Sequence, residues 1–177
     1  MKLSNLLAVT LLSLAACDGS GGSGGIPAGT GTITGSVASH ALSTVKAAYV
    51  IGQADDSSGT TVVYVFDAAV TCDELTSAGW DSRIADRTGV VEMKLIGKTA
   101  GSFPASGAIA QSGQSSVNFT LSSRAGKSME QSASAGAVQL DKLLPDGSAE
   151  GSFNLTFGTE MVKGTFSAAL CSGGHEP

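Results

Sequence analysis

The chain is poor in the groups on which most enzyme chemistry is built. Its 177 residues hold two histidines, His40 and His175. They stand far apart and in no spacing such as H-E-x-x-H, so no metal site is expected. Lysine and arginine number 10 against 15 aspartates and glutamates. The basic residues never cluster, which argues against nucleic acid as a partner. Charged residues reach only 14% and aromatics 5%, with a single tryptophan. Long apolar runs are missing except near the start, from Leu3 to Leu14. That run is shorter than the about 20 residues a membrane-spanning helix needs. Three cysteines, Cys17, Cys72 and Cys171, are too few for a disulfide-dense scaffold. What the chain has instead is glycine, 24 in all, with much serine, threonine and alanine. This composition suits a secreted β-protein with many tight turns.

The first sixteen residues have the three parts of a secretory signal. Lys2 and the amino terminus are positive, Leu6, Leu7, Val9, Leu11, Leu12 and Leu14 form the apolar part, and Ala15 and Ala16 are small. The stretch Leu14-Ala15-Ala16-Cys17 resembles the lipobox of bacterial lipoproteins. The resemblance implies cleavage before Cys17, a diacylglycerol on its thiol and an acyl chain on its new amino group. Two or more chains anchor a protein stably, whereas one binds only marginally. The expected location is therefore the bacterial cell envelope, periplasmic or at the surface, with the membrane as a partner through the lipid. Asp18 follows the anchor; in enteric bacteria that residue tends to hold a lipoprotein at the inner membrane. Other groups follow other rules, and both membranes stay open.

Residues 17–31 read as an acylated cysteine followed by a glycine- and serine-rich tether. It contains G-x-S-x-G as Gly21-Gly22-Ser23-Gly24-Gly25, but nothing apolar flanks it as a nucleophile elbow requires. Residues 32–171 read as one β-domain, and 172–177 as a tail. Thr32 to Ala38 alternates with period two, as a half-buried strand does. A turn around His40 leads to a strand at Val45–Ile51. Asp55 and Asp56 sit in a loop without the D-x-D-x-D-G pattern of a calcium site. Thr60 to Phe66 is apolar on both faces and reads as a central strand. Thr71-Cys72-Asp73-Glu74 fits a capping box, opening a short helix to about Ala78, stopped at Gly79. Gly89–Gly97 is a strand with Val91, Met93 and Leu95 on one face. Gly101–Gln111 is limited by Pro104 to an edge or an irregular piece. Val117, Phe119 and Leu121 share a face, 127–134 reads as an exposed strand, and Val138 and Leu140 point inward. Leu144-Pro145-Asp146-Gly147 is a turn. Gly158-Thr159 links a final hairpin of type II′, joining Phe153, Leu155 and Phe157 to Val162, Phe166 and Leu170.

These readings predict an all-β fold, an antiparallel β-sandwich or flattened barrel of about nine strands with one short helix. The segments Gly136–Leu140, Gly151–Gly158 and Val162–Cys171, with a cysteine after a middle strand at Cys72, resemble β-rich lipoproteins of uncharacterised role from myxobacteria and their relatives. That resemblance brings no catalytic residue and no cofactor with it.

With Cys17 acylated, Cys72 and Cys171 remain as a pair in an oxidising compartment, where a disulfide is expected. The rival reading makes Cys72 a nucleophile at a helix start, but no histidine lies near it in sequence. Ser43-Thr44-Val45-Lys46 matches S-x-x-K without the accompanying S-D-N and K-T-G. The loop holding Trp80, Asp81, Arg83 and Arg87 gathers an aromatic and two arginines, residue types frequent at recognition sites. Trp80, Arg83 and Arg87 form the candidate binding patch, the bland alternative being that Trp80 covers one end of the core. The leading functional expectation is a non-catalytic envelope module that binds an envelope protein or glycan, assembles or coats. The alternatives are an envelope hydrolase with an unrecognised site and a lipocalin-like carrier of a small ligand.

Overall fold

A computed structural model describes residues 26–52, 59–80, 83–106, 111–122 and 129–172. The lipobox with Cys17, most of the tether, Asp55, Asp56, Asp81 and the tail with His175 lie outside the described residues. In chain order the elements are β1 (Thr30–Val37), β2 (His40–Leu42), β3 (Ala47–Gly52), β4 (Thr60–Phe66) and α1 (Cys72–Leu75). They continue as β5 (Gly89–Ile96), β6 (Gly101–Pro104), β7 (Ser115–Leu121), β8 (Met129–Ser132), β9 (Ala135–Leu143), β10 (Ala149–Phe157) and β11 (Glu160–Ser172).

Nine strands follow one path, β6-β9-β10-β11-β3-β4-β5-β7-β8, with β1 paired to β11 and β2 to β1 beside it. The sheet curls into a half-barrel. Its β6 margin comes round far enough for Ala105 to bridge Ser115 at the start of β7. Pro104 ends β6 at the sheet margin, where a residue without an N–H is tolerated. Phe157 pairs with Glu160 across the two-residue link Gly158-Thr159, with Gly158 at φ +62, as the hairpin motif requires. Gly147 takes φ +83 in the turn after Pro145.

The curl has a basis in the register. On the inner face, Phe166 pairs with Gly31 on one side and Gly151 on the other, and Gly164 pairs with Ile33 and Phe153. Large and glycine positions thus alternate from strand to strand. A Cβ on Gly151 would lie 2.6 Å from the Phe166 ring, and one on Gly164 2.7 Å from the Phe153 ring. The rings occupy the space that the glycines leave, which lets neighbouring strands bend over a filled interior.

Three differences from the sequence reading have physical causes. Among the described residues eleven strands form instead of about nine, because β6 is ordered and a three-residue β2 replaces the open turn at His40. The β3–β11 pair is parallel, where an all-antiparallel sheet was expected. β11 is long enough, at 13 residues, to pair with β1 along its first half and reach β3 along its second. α1 spans four residues, Cys72–Leu75, and ends at Thr76 instead of Ala78. The Thr76 side chain bonds back to the Cys72 carbonyl at 3.0 Å, closing the turn early.

Burial divides into two cores. The inner one fills the curl, with Phe103, Phe119, Phe153, Phe157 and Phe166 among its members. The outer one lies on the convex side of β3 and β4, where Ala47, Tyr49, Ile51, Val62, Tyr64 and Phe66 meet Val70, Leu75 and Ile84. β4 is therefore apolar on both faces because it serves both cores.

Candidate functional site

The described residues between Asp67 and Thr88 form the flap that covers the outer core. Its entry is set at Thr71, whose hydroxyl accepts from the Glu74 N–H at 3.2 Å. Glu74 in return accepts from the Thr71 N–H at 2.8 Å, completing the capping box read from the sequence. The box places Cys72 at the first helical position, buried, and turned toward the end of β11. There it forms a disulfide with Cys171, with the Cα atoms 5.5 Å apart. The bond occupies both thiols, so neither is a nucleophile. Beneath it the Tyr49 hydroxyl donates to the Val70 carbonyl at 3.0 Å, and burial pushes the Tyr49 phenol up from its ordinary value.

Trp80 is half-buried and stands edge-on to two rings of β4, with centroids 5.7 Å from Tyr64 and 6.1 Å from Phe66. The indole thus serves as a cover for the outer core. The Trp80 carbonyl accepts from the Arg83 and Ile84 N–H groups at 2.9 and 3.1 Å, and Ile84 drops into the core. Arg83 and Arg87 are exposed in this loop. Arg87 holds φ +63, and its N–H donates to the Ser122 carbonyl at 2.9 Å. Ser122 is 2% exposed. Its hydroxyl donates to the Ala85 carbonyl at 2.8 Å and accepts from the Thr88 N–H at 3.0 Å. The loop is thereby pinned to the end of β7. Trp80, Arg83 and Arg87 share one loop: the tryptophan is turned to its underside and the arginines are exposed.

Two further features were not legible beforehand. His40 begins β2, where its Nε2 lies 2.7 Å from Asp67 Oδ2, each side chain 15% exposed. Asp67 Oδ1 accepts from the Gly89 N–H at 2.8 Å. A Cβ on Gly89 would come within 2.7 Å of Asp67 and 3.0 Å of His40, so the pair depends on glycine there. Read locally, His40 was only a turn residue, and no spacing rule links it to Asp67. The second feature is a shallow groove of about 370 Å³ on the convex face, lined by Thr32, Thr34, Phe153, Asn154, Lys163, Gly164 and Thr165. The Thr32 and Thr165 hydroxyls bond each other at 2.9 Å. Among the described residues no three histidine, cysteine, aspartate or glutamate side chains gather as a metal ion would need. Among them, too, no helix is long and apolar enough to cross a membrane.

Comparison with protein-family models, with curated proteins and with solved structures finds no match.

Proposed function

We propose that the chain is a lipid-anchored, non-catalytic module of the bacterial cell envelope, held by acylated Cys17, with its curled sheet acting as a flattened barrel. Its contact face is the flap loop, and its partner is an acidic envelope protein or glycan. The observation that carries this reading is the two-sidedness of the loop. Trp80 and Ile84 fix it from beneath, while Arg83 and Arg87 stand exposed on a segment tied down by a disulfide and by Ser122. Guanidinium groups on a pre-ordered loop lose less entropy when they pair with carboxylates or phosphates than on a loose one.

The test is co-sedimentation of the purified mature domain with isolated envelope fractions. Arg83→Ala with Arg87→Ala should reduce the bound fraction about tenfold while leaving the melting temperature in place. Undiminished binding by the double variant would remove the loop from the reading. Cys17→Ser should abolish palmitate labelling in cells; labelling at the wild-type level would remove the anchor. Ester, peptide and glycoside substrates should turn over no faster than background.

A further inference from the structure

We propose that the β1–β2 hairpin is a lid over one end of the inner core, and that the Glu160 carboxylate is its latch. The link between Val37 and His40 is two residues long, and both, Ala38 and Ser39, sit at positive φ, +48 and +67. A turn with φ > 0 at both central residues is normally built from asparagine, aspartate and glycine. Alanine and serine enter that region at a steric cost, so the turn is not specified by its own sequence.

What holds it comes from the other end of the chain. Glu160 follows the β10–β11 turn, and its carboxylate accepts from the Ser36 hydroxyl at 2.7 Å, from the Ser39 N–H at 3.4 Å and from the Ala38 N–H. A single carboxylate thus collects both amides of the strained turn and a hydroxyl from the strand before it. Bonds of this kind to a charged acceptor are stronger than neutral ones.

The rest of the hairpin is lightly tied. Among the described residues β2 pairs with β1 alone, and the backbone next bonds the main sheet at Lys46, whose N–H donates to the Phe66 carbonyl at 2.9 Å. Between these points His40 lies over Phe119, ring centroids 5.9 Å apart, and bonds Asp67, while Leu42 enters the inner core. Phe119 in turn meets Phe157 edge-on at 6.3 Å. Opening the segment 38–45 would therefore uncover an aromatic pair at the end of the curl while leaving every ladder of the main sheet path intact.

Hydrogen exchange of the mature domain, read by mass spectrometry, tests this. Glu160→Ala should speed exchange in peptides covering 38–45 about tenfold or more, with β4, β5 and β10 unchanged. Adding Ala38→Asn and Ser39→Gly, which supply a turn needing no latch, should return those peptides to within about twofold of wild type. Unchanged exchange in Glu160→Ala would overturn the proposal. So would a loss of protection throughout the domain, or a failure of the turn substitutions to restore it. The turn substitutions alone, with Glu160 retained, should slow exchange at 38–45 below wild type; no slowing would also count against the latch.

Discussion

Two regions of the sheet, here its inner and outer halves, are built on different terms, with β7 and β8 continuing beyond them. In the half made of β6, β9, β10, β11 and β1, one face is buried and the other is open. Its convex side carries rows such as Thr32, Thr165, Ser152, Gln139 and Ser102, matched across five strands. In the half made of β3, β4 and the start of β5, the convex side is apolar and the flap closes over it. The first half needs nothing beyond its own alternation and the glycine–phenylalanine fit. The second is covered by one four-residue helix and a loop, too little secondary structure to stay in place unaided. It is fastened instead by the disulfide, by Trp80 wedged against Tyr64 and Phe66, and by the Ser122 bonds. A second core outside a curled sheet is cheap in residues but depends on such fasteners.

The largest effect should come from breaking the inner half. Phe166 is 3% exposed, and Phe166→Asp buries an unpaired carboxylate, a loss of about 4 kcal/mol or more. The domain should unfold, seen as loss of the thermal transition. Thr165→Asp, one residue along and on the open face, should be mild; equal effects would mean that the two faces are not distinct.

Next in size is the outer half. Replacing Cys72 and Cys171 with alanine should cost about 2–4 kcal/mol in urea unfolding, with the loss concentrated in the flap. Trp80→Ala should cost about 2 kcal/mol through its two edge-on ring contacts and buried area. Its effect should shrink in the disulfide-free variant, since both act on the same flap.

The smallest effect is the pH dependence of the lid. The Ser36 hydroxyl and then the turn amides hold the Glu160 carboxyl below its ordinary value. A group whose pKa is lowered on folding contributes stability above its unfolded pKa. It loses that contribution as pH falls through the lowered folded value. The stability gap between wild type and Glu160→Ala should therefore be full at neutral pH and close in acid below the ordinary glutamate range. A gap that widens on acidification would contradict the latch geometry.

Much of the inner core was legible in the sequence because its code is local. Period-two alternation gave the faces of β5, β7, β9 and β10, and Gly158-Thr159 gave the last hairpin. The capping box at Thr71 and Glu74 was readable for the same reason. The cysteine pair followed from the chemistry expected of Cys17, not from geometry. The unreadable parts all rest on distant partners. Thr60 to Phe66 announced two apolar faces but not what covers the second. Ala38-Ser39 carries no turn signal, because its signal is Glu160. The parallel β3–β11 pair joins residues from opposite ends of the domain, and no alternation pattern reports that. Of the candidate patch, the clustering of Trp80, Arg83 and Arg87 was visible, whereas the inward use of Trp80 was not.

The dependence of the outer core on its fastening is tested most directly by native-state hydrogen exchange of the protein, oxidised and then reduced. On reduction, amides between Asp67 and Thr88 should lose protection while those of β1, β10 and the first half of β11 keep theirs. A uniform loss across both halves, or no loss in the flap, would contradict a separately fastened second core.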